Sequence, residues 1–500
     1  MPLLSCGRAL SWLAERSPER AALVHEGKTA TRRDLDRRSN RLARAFAARG
    51  VGPGSLVTIA LPNGIPFFEA VAATWKLGAT PQPASARLPE RERRAIVDLA
   101  DPALVVGADA AEAGGRPALP AGFDADPALS DAPLPDATPR HVRAMTSGGS
   151  TGRPKVILDL TPGTADPERA ENGMQVEGTT LVAGPLYHAG PFITAWQCLL
   201  SGGTAVVMTR FDAREALALI ERHRVDWVLF VPTMMQRICK LPAEERARFD
   251  LSSLRRVMCT GAPSPAWLKR AWIDWLGPET IWEAYGGTER IAGTLISGTE
   301  WLAHPGSVGR PGAERKIKAL RPDGSECAVG EVGELYMLPA AGRGTTYRYL
   351  GAEAEATSDG WETVGDLGWF DADGYLYLAD RKTDMIVTGG ANVYPAEVEA
   401  ALDAHPGVRS SAVIGLPDED LGQRVHAIVD AVGPVDEAAL RAHLAEHLAR
   451  TKLPRSFEFV REPLRDDAGK VRRSALRQAR LGGTVPGGGR PDGAGSGGAR

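Results

Sequence analysis

From Thr31 to Gly50 the chain reads TRRDLDRRSNRLARAFAARG, with Leu35, Leu42 and Phe46 on one helical face and charge on the others. An apolar stripe at that spacing, opened by a hydroxyl residue and closed by a glycine, predicts a helix capped by Thr31 and ended at Gly50. SLVTIAL then reads as a strand, FFEAVAATWKLGA as a helix and PQPAS as a loop. The alternation returns between Gly178 and Cys259: TTLVAG, a helix around Trp196, TAVVMT, EALALIERHR, DWVLFV, a further helix and RRVMCTG. Strands and helices taken in turn predict an α/β layered domain with mostly parallel strands.

Ala, Pro, Gly and Asp crowd the stretch from Gly107 to Arg140, which reads as a surface connection. The domain boundary is expected later, near Ala379 to Asp384. There a hairpin-like aromatic stretch, GWFDADGYLYLADRKTD, passes into a smaller pattern that includes AEVEAALDAHP, SSAVIGL, VHAIVDAV and EAALRAHLAEHLAR. We expect a large N-terminal domain of layered β-sheets and helices over 1–380, a small α+β lid over 381–480, and a Gly-rich disordered tail over 481–500.

Composition narrows the partners. A net charge of -3 on 500 residues, 24% of them charged, leaves no general attraction for nucleic acid or anionic membrane, so small molecules are the expected partners. The five cysteines are scattered and form no CxxC pair, which argues against zinc and for a reduced, cytoplasmic setting. The N-terminal MPLLSCGRALSWLAERSPER meets charge within eight residues and lacks a signal-peptide core, and no later run is long enough to span a bilayer.

Candidate chemistry begins at TSGGSTGRPK, Thr146 to Lys155. Glycines can turn backbone N–H groups inward, hydroxyls add donors, and Arg153 and Lys155 add charge, which is the chemistry of a polyphosphate cradle; a bare glycine-rich turn is the bland alternative. It is not the GxxxxGK[ST] loop, because no Ser or Thr follows Lys155. EAYGGTER sets Tyr285, Thr288 and Glu289 together at a strand edge, a set suited to a nucleotide with magnesium. TVGDLG adds Asp366, DRKTD adds Arg381 and DDAGK adds Lys470.

In this order these stretches, with TGAPSP and TGGANVYPAEVE, resemble the adenylate-forming superfamily of acyl-CoA synthetases, nonribosomal adenylation domains and luciferases, over nearly the whole chain to about Leu476. In motif style the chain is most similar to bacterial acyl-, aryl- or bile-acid-CoA ligases. The resemblance implies ATP- and Mg²⁺-dependent activation of a carboxylic acid to an acyl adenylate, followed by transfer to coenzyme A; an amine or a carrier-protein thiol is the alternative acceptor. It implies that Thr146, Ser147, Ser150, Thr151 and Lys155 contact the β and γ phosphates, with Gly148, Gly149 and Gly152 shaping the turn. Gly261, Ala262 and Pro263, with Tyr285 and Gly286, would surround adenine, and Thr288 would touch the α-phosphate. Glu289 would hold the metal, and Asp366 and Arg381 the ribose hydroxyls. Lys470 would bridge the attacking carboxylate and the α-phosphate, and Gly389 and Gly390 would line a pantetheine tunnel.

Two departures from the family pattern stand out. The phosphate loop is SGGSTG where SGTTG is usual, and Thr383 occupies the hinge position where Asp or Lys is frequent, beside Lys382 and Asp384. LYHAGPF places His188 as a gate between acyl and thiol channels, or as a helix-start residue. Val231 and Pro232 stand where amino-acid-activating relatives carry an aspartate, so the expected acid lacks an α-amino group: an unpaired ammonium there would be costly. Asp226 reads as a strand-end residue. Trp196, Met234, Met235 and Trp282 read as an apolar pocket wall or as plain core. Aryl, alicyclic, fatty and steroid acids all remain open.

Overall fold

The computed structural model describes residues 3–147, 154–312, 314, 316–466 and 469–481. It divides into a unit of 1–382 with 465–470, and a second of 383–464 with 471–500. The short 465–470 segment, expected as part of the lid, therefore clusters with the large unit.

In the large unit the predicted first helix runs Arg32–Ala47, and Thr31 caps it in a box with Asp34: the Asp34 N–H donates to Thr31 Oγ1, and the Thr31 N–H to Asp34 Oδ2 at 2.9 Å. Such a cap contributes about 1 kcal/mol. The predicted alternation between Gly178 and Cys259 supplies four of the 14 strands that the described residues place in one sheet; its parallel part runs in the order Ala21–His25, Thr204–Val207, Thr179–Val182, Trp227–Phe230, Arg256–Cys259, Ile281–Gly286. At Ile281–Gly286 the sheet changes sense. Gly293–Ser297 and the strands beyond it pair antiparallel, including the predicted aromatic hairpin of Glu362–Phe370 and Leu376–Arg381. A three-stranded sheet of Ala144–Ser147, Lys155–Asp159 and Tyr347–Leu350 stands apart from it.

The stretch PQPAS is not a loop throughout. Thr80–Pro83 is a buried strand at the edge of a four-stranded sheet, parallel to Leu56–Ile59. The N–H groups of Thr80 and Ala84 donate to Ser55 and Ile59, so the alternate positions 81 and 83 face away from the partner strand, where proline's missing donor costs nothing. Trp196 is core, packed against Trp75 at 4.5 Å between ring centroids, and Met234 and Met235 are buried in the apolar cluster around Phe230 and Trp272. Trp282 is half-buried, with Arg256 lying over its ring. Asp226 is a strand-end residue: its Oδ2 accepts the Thr179 N–H at 2.7 Å.

The small unit pairs Val408–Asp418 with Gly422–Ala431 in a long hairpin and adds Ser456–Val460 in parallel. The helices Pro395–Ala404 and Glu437–His447 bury Val398, Leu402, Leu440 and Leu444 with Val413, Val425 and Val429 of the sheet. A two-stranded ribbon, Ile386–Thr388 with Ala391–Val393, turns at Gly389 and Gly390, whose φ values of 55° and 81° suit glycine. Leu481, expected to open a tail, instead ends the helix Arg473–Leu481, and the rest of that tail lies outside the described residues.

Candidate active site

Ligands of open α/β sheets gather at the carboxyl ends of the parallel strands. Three stretches singled out from the sequence start there: Val231–Pro232 after Trp227–Phe230, the exposed turn at Gly261 after Arg256–Cys259, and Tyr285–Glu289 closing Ile281–Gly286. Gly261 holds φ at 90°, and a Cβ on it would come 3.4 Å from Val231, so the adenine-side turn and the Val231 turn are neighbours.

One cluster gathers Tyr285, Asp366 and Arg381. The Tyr285 hydroxyl donates to Asp366 Oδ2 at 2.8 Å, and Arg381 Nε lies 3.0 Å from Oδ1. Asp366 and Arg381 face each other directly across the hairpin, while Tyr285 reaches them from the parallel half of the sheet. Burial pushes the Asp366 carboxyl up, with Arg381 and the Tyr285 hydroxyl pulling it back; burial and then the Asp366 charge drive the Tyr285 phenol far above its usual range, so it stays a donor.

A second cluster gathers Lys155, Glu289 and Tyr349. Buried Glu289 accepts the Tyr349 hydroxyl on Oε1 at 2.6 Å, and Lys155 Nζ stands 3.4 Å from the same oxygen and 3.9 Å from the centroid of the Tyr349 ring. Burial first, and then the Glu289 charge, push the Tyr349 phenol up, so it too remains a donor. Arg290, next along the turn, adopts φ 54° and reaches Asp159 Oδ2 at 3.3 Å, and Asp159 is also held by buried Arg143. The turn is thus tied to both ends of the strand Lys155–Asp159. Thr288 is half-buried beside it. Beneath, Glu283 forms a fully buried ion pair with Lys269.

His188 is the N-cap of the helix Ala189–Leu200 but makes no side-chain cap bond, and among the described residues its buried Nε2 has no hydrogen-bond partner. Burial, and secondarily Lys470, push its pKa down to about 3, so the ring is neutral at neutral pH. Lys470 itself is lowered by the protein atoms crowding it and by Arg381, with Asp466 and Glu289 opposing. Its side chain is nevertheless exposed, and water screens those effects. The Lys470 N–H donates to Asp466 Oδ1 at 2.9 Å, and Gly469, at φ 75°, sits so close to Thr233 that a Cβ would stand 2.4 Å from its Oγ1.

Lys155, Glu289, Tyr285, Asp366, Arg381, His188 and Lys470 thus belong to one unit. Thr146 lies at the end of Ala144–Ser147, where its Oγ1 accepts from Gln82 at 3.4 Å. Gly148, Gly149, Ser150, Thr151, Gly152 and Arg153 lie outside the described residues, as does the side chain of Ser147. Gly389 and Gly390 belong to the small unit. Tyr349 and the Lys269–Glu283 pair escaped the sequence reading. The tyrosines of YRYL signal a strand, but only its pairing with Lys155–Asp159 brings Tyr349 to Glu289.

A carboxylate beside a lysine, with hydroxyls at the adjoining strand end, is a donor set fitting Mg²⁺ and phosphate. Comparison with known proteins bears on the family. Residues 10–350 match the AMP-binding enzyme family and residues 397–470 the AMP-binding enzyme C-terminal domain. Feruloyl-CoA synthase of an Amycolatopsis species is 36% identical over 94% of this chain and 98% of its own. The o-succinylbenzoate CoA synthetase of Bacillus subtilis, solved with its acyl-adenylate intermediate, superposes with a TM-score of 0.81 at 27% identity, covering 95% of this chain and 99% of its own. The same synthetase has been solved with ATP and a magnesium ion, with a TM-score of 0.79 at 26% identity over 94% of this chain and 98% of its own. The amide bond synthetase of Marinactinospora thermotolerans gives a TM-score of 0.78 at 27% identity, covering 95% of this chain and 99% of its own. With a family model matched over more than half its length, the chain belongs to the AMP-binding enzyme family of adenylate-forming ligases.

Proposed function

We propose that the chain activates a carboxylic acid lacking an α-amino group, and that Lys155, Thr288, Glu289, Asp366, Arg381 and Lys470 are its working residues. The reaction is AMP-forming acid–CoA ligation: ATP and the acid give acyl adenylate and pyrophosphate, and the CoA thiol then displaces AMP. The observation that carries the residue assignment is the clustering of Lys155 with Glu289 and of Asp366 with Arg381 and Tyr285 within one unit.

Glu289, with phosphate and water, would hold the magnesium, which offsets phosphate charge when bound. Lys155 and the loop before it bind the β and γ phosphates. Asp366 and Arg381 orient the ribose, and Tyr285 packs its ring against adenine. The protein's own share of the rate is positioning and charge stabilisation: the Lys470 ammonium offsets the charge that develops between the carboxylate and the α-phosphate. Neutral His188 borders the acyl group, and among the described residues nothing hydrogen-bonds its Nε2. Val231 and Pro232 offer no counter-charge to an α-ammonium, and Asp226 is already engaged by the Thr179 N–H.

The decisive experiment measures acid-dependent pyrophosphate release from ATP across aryl, alicyclic, fatty and steroid acids, with α-amino acids alongside. Activity on α-amino acids alone would sink the substrate assignment. An amine acceptor is the second reading, favoured by the likeness to an amide bond synthetase. Offering CoA and amines in competition separates the two, since amide without acyl-CoA would reverse the order. Among the described residues no helix is long and apolar enough to cross a membrane. A cytoplasmic setting fits the five free cysteines, of which buried Cys6, Cys198 and Cys259 are pushed up to about 12.

A further inference from the structure

Tyr349 grips the two charges of the phosphate end with one side chain. It lies on Tyr347–Leu350, opposite Ile157 in the antiparallel pairing with Lys155–Asp159. Its hydroxyl donates to Oε1 of Glu289, and its ring faces the Lys155 ammonium. Among the described residues, Oε2 of Glu289 accepts no hydrogen bond. It looks toward Gly287, where a Cβ would stand 2.8 Å from it, so a side chain at 287 would close that approach. Tyr349 is itself braced: its ring meets Tyr347 edge-on at 4.8 Å, and the Tyr347 hydroxyl donates to buried Glu362 at 2.6 Å. Its direction is set before any ligand arrives.

At 3.4 Å, Lys155 and Glu289 are close enough to collapse into a two-pronged ion pair, in which each would cancel the other. The phenol competes for Glu289 with a charge-assisted hydrogen bond, and the ring face competes for the ammonium. We propose that Tyr349 is a positioning residue for the magnesium–polyphosphate end of the site, holding Oε1 so that Oε2 is the oxygen offered to the cation, and holding Lys155 aside for phosphate. This rests on the assignment of Glu289 to magnesium and Lys155 to phosphate made above.

Two variants divide the role. Tyr349→Phe keeps the ring under Lys155 and removes the hydroxyl; Tyr349→Leu removes both. Each is measured by calorimetric binding of ATP in EDTA and in excess Mg²⁺, by the magnesium dependence of pyrophosphate release, and by the melting temperature without ligand. Loss of a group that holds a metal ligand weakens the metal by roughly 10- to 100-fold. Tyr349→Phe is therefore expected to raise the half-saturating magnesium concentration by that factor, while ATP binding in EDTA stays at its wild-type value. Tyr349→Leu should in addition weaken ATP binding in EDTA. A wild-type magnesium requirement in Tyr349→Phe overturns the proposal. So does a parallel fall in metal affinity, metal-free ATP affinity and melting temperature, which would make the residue packing only. If Glu289→Gln leaves the magnesium dependence unchanged, the failure lies with the assignment of Glu289, and that variant reports it separately.

Discussion

Two lysine–glutamate pairs sit along one strand and its following turn, and they are built to opposite ends. Glu283, inside the strand, meets Lys269 with both side chains sealed, at 6% and 1% exposure. Glu289, on the turn, meets Lys155 at 3.4 Å with the lysine 27% exposed and a tyrosine interposed. Burial pushes the Glu283 carboxyl up and Lys269 pulls it back, so the pair exists because neither partner tolerates being alone there. In the second pair each charge keeps a route to something else. A buried pair fixes a fold; a half-open pair next to glycines and hydroxyls is available to a ligand.

The sharpest way to break this contrast is to remove one lysine at a time. Lys269→Met should cost about 3–5 kcal/mol of unfolding free energy in urea, because Glu283 is left uncompensated, and Lys269→Met/Glu283→Leu should recover most of it. Lys155→Met should change stability by less than about 1 kcal/mol while ATP binding, followed by calorimetry, falls. Equal losses of stability in the two lysine variants would erase the distinction. Lys470 belongs with the open pair. Lys470→Ala should slow acyl-adenylate formation by roughly 10²- to 10³-fold, leave the melting temperature in place, and spare CoA attack on preformed adenylate.

His188 gives the smallest effect and the one with a pH signature. Its folded pKa of about 3 lies below the unfolded value, so the unfolded chain takes up the proton first. Its neutral form leaves stability intact above about pH 6.5 and costs progressively more as pH falls toward 3. Wild type should therefore lose up to about 2 kcal/mol more than His188→Gln between pH 7.5 and pH 5, read from urea midpoints at each pH. Parallel losses would mean that His188 is solvated.

Sequence disclosed those parts of the candidate site whose chemistry is carried by short runs. Glu289, Asp366, Arg381 and Lys155 each sit in a motif whose glycines and hydroxyls announce a ligand. Tyr349 and Lys269 sit in ordinary strand and helix patterns, and their partners are decided by sheet register and helix packing, which no local window contains. Pro81 and Pro83 misled for a related reason: proline marks a chain break unless the strand is an edge, and being an edge is a property of the sheet. The α/β alternation was legible throughout because its apolar periodicity is local.

The change of sense at Ile281–Gly286 also bears on how the protein reaches its native state. On one side of that strand the pairings join segments close in sequence, such as the hairpin of Glu362–Phe370 and Leu376–Arg381; on the other, Ala21–His25 must find Thr204–Val207 across nearly half of the unit. Contacts so distant in sequence form slowly, because loop closure precedes any reward. Asp366 and Arg381 share one hairpin, whereas Tyr285 joins them across 81 residues. The proposed nucleotide end of the site therefore closes late in folding, and during refolding the ability to bind ATP should appear after most of the helical signal has returned.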